Sequence, residues 1–366
     1  MSIPMVDLKA QYQDIKDELA AKFEEILGSC SFILGPNVKA LEDEVADYIG
    51  TKHAVAVASG TDALHLALVA AGIKPGDEVI TTPFTFIATA EAISYVGARP
   101  VFADIEEDTF NMDMRLLPGA LTEKTKAIIP VHLYGMPVKV GPLLEFAVTH
   151  GLHVIEDCAQ SFGAHYKLSR TGCFADAGCF SFFPSKNLGC YGDGGMVTTD
   201  SDKTAELLRM LRNHGSRERY YHDEIGFNSR LDELQAGILR VKLARIDTYN
   251  RLRRERAAQY TGRLAGIPGI VTPREIDGYF HVYHQYTIQV ENREQVMKAL
   301  ADKGISSMIY YPVPLHLQKS YAGLGYKKGD FPVSERLAGK VLSLPIYPEL
   351  KPEDVDLVAD TIRSCF

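Results

Sequence analysis

The sequence predicts an α/β fold: a mostly parallel, mixed and buried sheet in a large domain, with a smaller α+β domain at the C-terminal end. Three observations carry this. Short apolar runs alternate with amphipathic stretches through the first half of the chain, the pattern of βαβ units. Those runs are near-continuously apolar rather than alternating, as strands covered on both faces are. Beyond a long charged helical stretch the pattern changes, and two strand-like runs flank a helix. At 366 residues and roughly 100–200 residues per domain, two domains fit. The division is placed at 1–245, an N-terminal helical segment included, and 246–366.

The elements follow in order. Asp14 to Leu27 carries Ile15, Leu19, Phe23, Ile26 and Leu27 at helical spacing, and Gly28 ends the pattern. Pro36 to Ile49 is a second helix, with Val38, Leu41, Val45 and Ile49 on one face. Ala54 to Ser59 reads as a buried strand bounded by Gly60, and Asp62 to Ala71 returns to helix. Glu78 to Thr82 is a strand stopped by Pro83. Ala88 to Val96 reads as helix and Pro100 to Ile105 as strand. Ala127 to Leu133 is a strand, Leu143 to His150 a helix, and His153 to Glu156 a strand. Ala177 to Phe183 and Gly195 to Thr199 are strands joined by a glycine-rich turn. One long helix is expected from Leu231 to Leu264, dotted with arginines that suit a solvated face. Gln285 to Val290 and Ser306 to Tyr311 read as strands, with helices at Arg293 to Lys303 and Pro352 to Ser364.

Composition bounds the function. The hydrophobic fraction is 46%, ordinary for a folded domain, which excludes a disordered or collagen-like chain. The net charge of −8 disfavours nucleic acid and anionic membrane as partners. The beginning of the chain lacks the basic and apolar regions of a signal peptide. The most apolar window, His53 to Ile73, is interrupted by Gly60, Asp62 and two histidines, which argues against a membrane span. The six cysteines include no C-x-x-C pair, so free thiols in a cytoplasmic protein are expected, and no metal site.

In open parallel sheets ligands bind beyond the carboxyl ends of the strands. Four strand exits hold candidate residues. Ser59-Gly60-Thr61-Asp62 leads into a helix whose free N–H groups suit an anion such as phosphate, although an ordinary cap has the same form. The sequence has no G-x-G-x-x-G fingerprint or P-loop, which disfavours a dehydrogenase or P-loop enzyme. Phe86, in Thr82-Pro83-Phe84-Thr85-Phe86, can stack on a planar ring or join the core. Asp157, at the end of an apolar strand, is costly to bury without a cationic partner; a protonated pyridine nitrogen is one such partner, and a helix cap is the alternative. Lys186, in Ser181-Phe182-Phe183-Pro184-Ser185-Lys186, follows an apolar strand, where desolvation would lower the amine's pKa and suit a Schiff-base former; an ordinary exposed lysine is the alternative. Together they supply a phosphate cradle, a stacking ring, a carboxylate and an amine, the parts that hold pyridoxal 5'-phosphate.

These motifs, with Phe32-Ile33-Leu34-Gly35-Pro36, Gly76-Asp77-Glu78-Val79-Ile80, Glu156-Asp157-Cys158-Ala159-Gln160 and Asn228-Ser229-Arg230-Leu231-Asp232, make the chain resemble the DegT/DnrJ/StrS family of pyridoxal-phosphate-dependent nucleotide-sugar aminotransferases over nearly its whole length. The resemblance implies the fold type I aminotransferase architecture. It implies that Lys186 carries the cofactor and moves the proton, and that Asp157 pairs with the ring nitrogen. Gln160 would bond the ring's O3′ side, Phe86 would stack on the ring, and Gly60, Thr61 and Ser181 would hold the phosphate. Asn228 would reach the phosphate of a neighbouring subunit, which implies a homodimer with shared sites. Arg230, Tyr311 and His316 would lie on the substrate side. L-Glutamate would be the amino donor. Cys190 to Gly195, Tyr283 to Val290 and Ser343-Leu344-Pro345 resemble the branch acting on UDP-2-acetamido-2-deoxy-3-oxo-D-glucuronate for surface polysaccharide such as O-antigen. Tyr310 stands where that branch carries histidine. A dTDP-linked 3- or 4-keto-6-deoxyhexose is the alternative acceptor, and a regulatory relative that binds the cofactor without turnover is a further one.

Overall fold

A computed structural model of the chain describes residues 2–366. The large sheet is built from β1 (His53–Val57), β2 (Glu78–Thr81), β3 (Arg99–Phe102), β4 (Thr125–Ile128), β5 (His153–Asp157), β6 (Ala177–Ser181) and β7 (Gly195–Thr199), in the order β1-β7-β6-β5-β4-β2-β3. The pairs β3–β2, β2–β4, β4–β5 and β5–β6 are parallel. Only β7 runs the other way, pairing antiparallel with β6 and with β1. The expected mostly parallel, mixed sheet is present.

Helices cover both faces, which is why the strands read as continuous apolar runs. Along β1 the side chains alternate between two cores. Val55 and Val57 pack with Leu64 and Leu68 of the helix Gly60–Ala70 and with Leu208 of the helix Asp202–Leu211. Ala54 and Ala56 face Val38, Leu41 and Val45 of the helix Pro36–Ile49, and Leu239 of the helix Glu233–Leu243. A further core forms around three short strands, β8 (Ile270–Val271), β9 (Tyr286–Val290) and β10 (Val341–Leu344), in the order β8-β9-β10. It takes Ala257, Tyr260 and Leu264 from the helix Ile246–Leu264 and Val355, Val358 and Ile362 from the helix Pro352–Arg363. Ile3 belongs to this core as well and bridges Ile305, so the first residues pack with the C-terminal elements rather than with the large sheet.

Several expected elements end differently. The helix expected over Leu231 to Leu264 is two helices, Glu233–Leu243 and Ile246–Leu264. At the joint the Arg245 N–H bonds Lys242 O at 2.9 Å, three residues back, while the Arg245 guanidinium takes Val241 O at 3.1 Å. The side chain thus satisfies the carbonyl that a continuing helix would have used. Ser306 to Tyr311 is not a strand: only Met308 pairs, with Ser343 of the short β10. The run expected to reach Phe183 stops at Ser181, because Lys186 N–H closes a turn onto Phe183 O at 2.8 Å. The strand expected to reach Leu133 stops at Ile128. Pro130 has no N–H to continue the ladder there.

The arginines expected on a solvated face are mostly tied into the chain. Arg240 pairs with Glu44 at 2.7 Å, Arg254 with Glu275 at 3.1 Å, and Arg245 with Glu18. Arg253 is buried and donates to the carbonyls of Tyr283, His284 and Ile346. Among the described residues no helix is long and apolar enough to cross a membrane.

Candidate active site

The carboxyl ends of β1, β5 and β6 open on a cavity of about 670 Å³. Gly60, Thr61, Phe86, Asp157, Gln160, Ser181, Lys186 and Tyr311 all line it. These predicted residues come from separate strand exits and loops, and the sheet brings them together.

The anion cradle is made by close backbone approach. Ser59 caps the helix Gly60–Ala70, its hydroxyl accepting from the Asp62 N–H at 3.1 Å. The Gly60 and Thr61 N–H groups have no bond within the described chain and point out of the positive helix end. Glycine is required at two places here. A Cβ on Gly60 would lie 2.5 Å from the Ser181 Cβ, and one on Gly195 would lie 2.3 Å from Ser59 O. The helix end, the end of β6 and the start of β7 therefore sit against one another.

Asp157 ends β5 and is buried. Its carboxylate accepts from Thr89 Oγ1 at 2.8 Å and from the Ala159 N–H at 3.1 Å, and forms no ion pair among the described residues. Burial is the main cause of its raised pKa; the Thr89 and Ala159 bonds and the Lys186 charge oppose it. A buried anion without a bonded cation, at the wall of a cavity, fits the protonated nitrogen of a pyridine ring. Lys186 is held by the turn after β6. It keeps part of its surface toward the cavity, yet the protein enclosing its amine pushes its pKa down to about 8, with Asp157 opposing the shift. That is the environment of an amine nucleophile at neutral pH. The site thus fits pyridoxal phosphate at the ring nitrogen, the amine and the phosphate.

Gln160 is fixed by two bonds. Its Oε1 accepts from the Tyr134 N–H at 2.7 Å, and its Nε2 donates to the Tyr311 hydroxyl at 3.1 Å. Burial raises the Tyr311 phenol pKa, so it stays protonated. Phe86 is 57% exposed, with its ring centroid 6.3 Å from that of Tyr311, and is free to cover a planar ligand.

Three predicted residues lie elsewhere in this chain. Asn228 is exposed and bridges Asn213. Arg230 donates to Asn213 Oδ1 at 3.1 Å. Ser229 between them is buried and donates to Asp62 Oδ2 at 2.6 Å, which turns its two neighbours away from their own chain's cavity. His316 is not at the cavity either: it is buried against the Phe331 ring, with Nε2 3.0 Å from Glu335 Oε1. Glu335 also accepts from the Gly329 N–H at 2.8 Å, so His316 helps to fix its own loop.

The structure adds residues that had no predicted role at the site. Thr89 donates to Asp157, and Tyr310, His284 and Gln285 line the cavity. Beneath Asp157, His132, Glu156 and Cys158 cluster as metal ligands do. The ligand atoms of His132 and Glu156 are already committed. His132 Nδ1 accepts from the Val138 N–H at 3.1 Å, so Nε2 carries the proton toward Glu156 at 3.0 Å. Glu156 also accepts from the Gly172 and Phe174 N–H groups, each at 2.9 Å.

Known proteins were compared against this geometry. The DegT/DnrJ/EryC1/StrS aminotransferase family matches residues 13–363. A UDP-N-acetyl-3-dehydro-alpha-D-glucosamine 3-aminotransferase of Acidithiobacillus ferrooxidans is 51% identical, covering 99% of this chain and 97% of its own. A pleiotropic regulatory protein of Geobacillus stearothermophilus is 50% identical, covering 100% and 99%. The UDP-2-acetamido-2-deoxy-3-oxo-D-glucuronate aminotransferase of Pseudomonas aeruginosa is 44% identical, covering 99% and 100%. The crystal structure of DesV from S. venezuelae, in complex with a ketimine intermediate, superposes with a TM-score of 0.98 at 45% identity over 100% of this chain and 98% of that one. Family, architecture and site agree, and this chain belongs to the DegT/DnrJ/EryC1/StrS aminotransferase family, whose cofactor is pyridoxal 5'-phosphate.

Proposed function

We propose that the protein transfers the amino group of L-glutamate to C3 of a UDP-linked 2-acetamido-3-oxo hexose, with the glucuronate as the acceptor implied by the sequence and surface polysaccharide as the destination of the amino sugar. The observation that carries the aminotransferase reading is the pairing, in one cavity, of a buried carboxylate that lacks a cation with a desolvated lysine amine. When bound, the cofactor supplies an electron sink for the pair of electrons left when a Cα proton departs. Asp157 keeps the ring nitrogen protonated. Lys186, as a free amine, takes the proton from one carbon and returns it to the other. Gln160 and Tyr311 orient the ring's oxygen edge, and Gly60, Thr61 and Ser181 anchor its phosphate. Val6, Leu344 and Ile346 contribute apolar wall to the cavity.

Two named relatives act on UDP-acetamido-3-oxo sugars, which supports the keto position and the nucleotide. The carboxylate is the finer point. Lys186 is the one cationic side chain of this chain's cavity among the described residues. A uronate would therefore be met by Arg230 from the other subunit of a homodimer, and Asn228 would reach the phosphate by the same route. A dTDP-linked 3- or 4-keto-6-deoxyhexose is the second reading, supported by a dTDP-3-amino-3,4,6-trideoxy-alpha-D-glucose transaminase of Streptomyces venezuelae that is 45% identical over 99% of this chain.

The test is the visible spectrum of the loaded enzyme. With no 2-oxoglutarate present to restore the band, three amino products are added to separate samples: the UDP-acetamido-amino-glucuronate, its uncharged glucose counterpart and a dTDP-amino-deoxy sugar. Conversion by the uronate alone is expected. Equal conversion by the uncharged UDP sugar removes the carboxylate from the proposal. Conversion by the dTDP sugar alone moves the protein to the second reading.

A further inference from the structure

His284 lines the cavity and plays no part in the steps above. Its protonation can be deduced from its neighbours. His284 Nδ1 lies 3.2 Å from Asn187 Oδ1. The Asn187 amide has a single orientation: its Nδ2 donates to the Val282 carbonyl at 3.1 Å and to Asn250 Oδ1 at 2.8 Å. The Asn250 amide is fixed in turn, because its Nδ2 donates to the Phe162 carbonyl at 3.0 Å. Backbone carbonyls only accept, so both amide oxygens in this chain of bonds are acceptors, and His284 must bring the proton on Nδ1. Burial, and after it the charges of Lys186 and Arg253, hold the imidazole well below the ordinary histidine range, so it carries one proton. Nε2 is then a bare lone pair. No protein donor satisfies it among the described residues, and it is not sealed in protein. It opens on the cavity. Arg253 keeps it there by holding the Tyr283 and His284 carbonyls at 3.2 and 3.4 Å. Gln285, next in the chain, also lines the cavity, but its Oε1 is sealed in protein, so Nε2 of His284 is the open acceptor of the two.

We infer that His284 Nε2 accepts a hydrogen bond from an O–H or N–H donor of the bound sugar, and that His284 is a specificity residue for the sugar half of the reaction alone. The inference rests on the sugar-aminotransferase reading. Glutamate offers no such donor away from the reacting carbon: its outlying groups are carboxylates, which a bare lone pair repels. A sugar offers hydroxyls and, in a 2-acetamido sugar, an amide N–H.

The two half-reactions are measured separately by stopped-flow absorbance on the loaded enzyme, with His284→Phe and His284→Gln. In His284→Phe the glutamate half-reaction is expected within about twofold of wild type, while the sugar half-reaction requires about tenfold more sugar, the loss of one neutral hydrogen bond of roughly 1.4 kcal/mol. His284→Gln restores an acceptor and recovers most of that loss. Calorimetry of the nucleotide amino sugar binding to each variant should show the same order. His284→Leu replaces the phenyl variant if the larger ring prevents folding. Equal slowing of both halves would place His284 in support of Lys186 through Asn187 and overturn the inference, as would an unchanged sugar half. A wild-type enzyme that reacts with glutamate and with no sugar would instead sink the sugar reading, and the inference with it.

Discussion

Lys186 and Asp157 are both shifted chiefly by desolvation, and the shifts have opposite directions because the charged forms have opposite signs. For Lys186 the consequence is a window. Its pKa falls from the ordinary 10.5 to about 8, so above that pH the amine is neutral and nucleophilic. Uptake of pyridoxal phosphate by cofactor-free protein should quicken as pH rises through about 8 and then level off. A rate flat from pH 7 to 9, as orders of magnitude for such a window, would remove Lys186 as the group that sets it. The linked stability effect has the same direction. Between about 8 and 10.5 the unfolded chain holds the proton that the folded one has released, so cofactor-free protein gains stability as pH rises through that interval. Below it, both states are charged and this lysine contributes no pH dependence. Lys186→Ala should lose the visible band and lower turnover by at least about 10²–10⁴-fold with an unchanged circular dichroism spectrum. Asp157→Asn should keep the cofactor and lose on the order of 10²–10³ in turnover, because the charge that holds the ring nitrogen protonated is gone. Wild-type turnover in either variant would overturn the site.

At the scale of elements, the helix Gly60–Ala70 bears the most specific demand. Gly60→Ala would place a methyl 2.5 Å from the Ser181 Cβ, so the helix end must retreat from β6. Cofactor retention through gel filtration should fall sharply, with thermal stability less affected. Ser59→Ala removes the cap and should cost about 1 kcal/mol in denaturant unfolding. The helices and strands around this site were largely legible, because their period follows from which faces are covered. Pro36–Ile49 and Gly195–Thr199 have the predicted ends, since a helix-starting proline or a bounding glycine marks each. Elements defined by distant partners were not. The break at Arg245 depends on a guanidinium held between Val241 O and the distant Glu18, and Arg240 likewise depends on Glu44, far away in sequence. Ser306 to Tyr311 has the composition of a strand but only one pairing position on β10.

For the whole molecule, the sheet explains why some site residues were readable and others were not. Asp157, Ser181 and Lys186 lie at or just beyond strand ends, where parallel sheets bind ligands, so motif and position agree. Thr89 carries no motif, and His284 and Gln285 lie in a run that marked a branch rather than a site; all three enter it only through packing. His316 sits in a motif-bearing loop, but its partner is Glu335. Asn228 and Arg230 face away from their own cavity, which makes assembly the decisive test. In an equal mixture of Asn228→Ala and Lys186→Ala subunits, allowed to exchange, a mixed dimer has one intact site if Asn228 serves the partner. Activity should return to roughly a quarter of wild type from two inactive parents. No recovery would place Asn228 in its own subunit's site, and a fully active Asn228→Ala parent would place it outside catalysis.

The aromatic wall has an optical consequence. The chain has 18 tyrosines and no tryptophan, so its ultraviolet emission comes from phenols alone. Tyr310 and Tyr311 line the cavity, with ring centroids 5.9 Å apart, and the Tyr134 hydroxyl donates to the Tyr310 carbonyl. Any occupant that absorbs where phenols emit will draw energy from this group. Filling and emptying of the cavity can therefore be followed by quenching of the protein's own fluorescence, without a label.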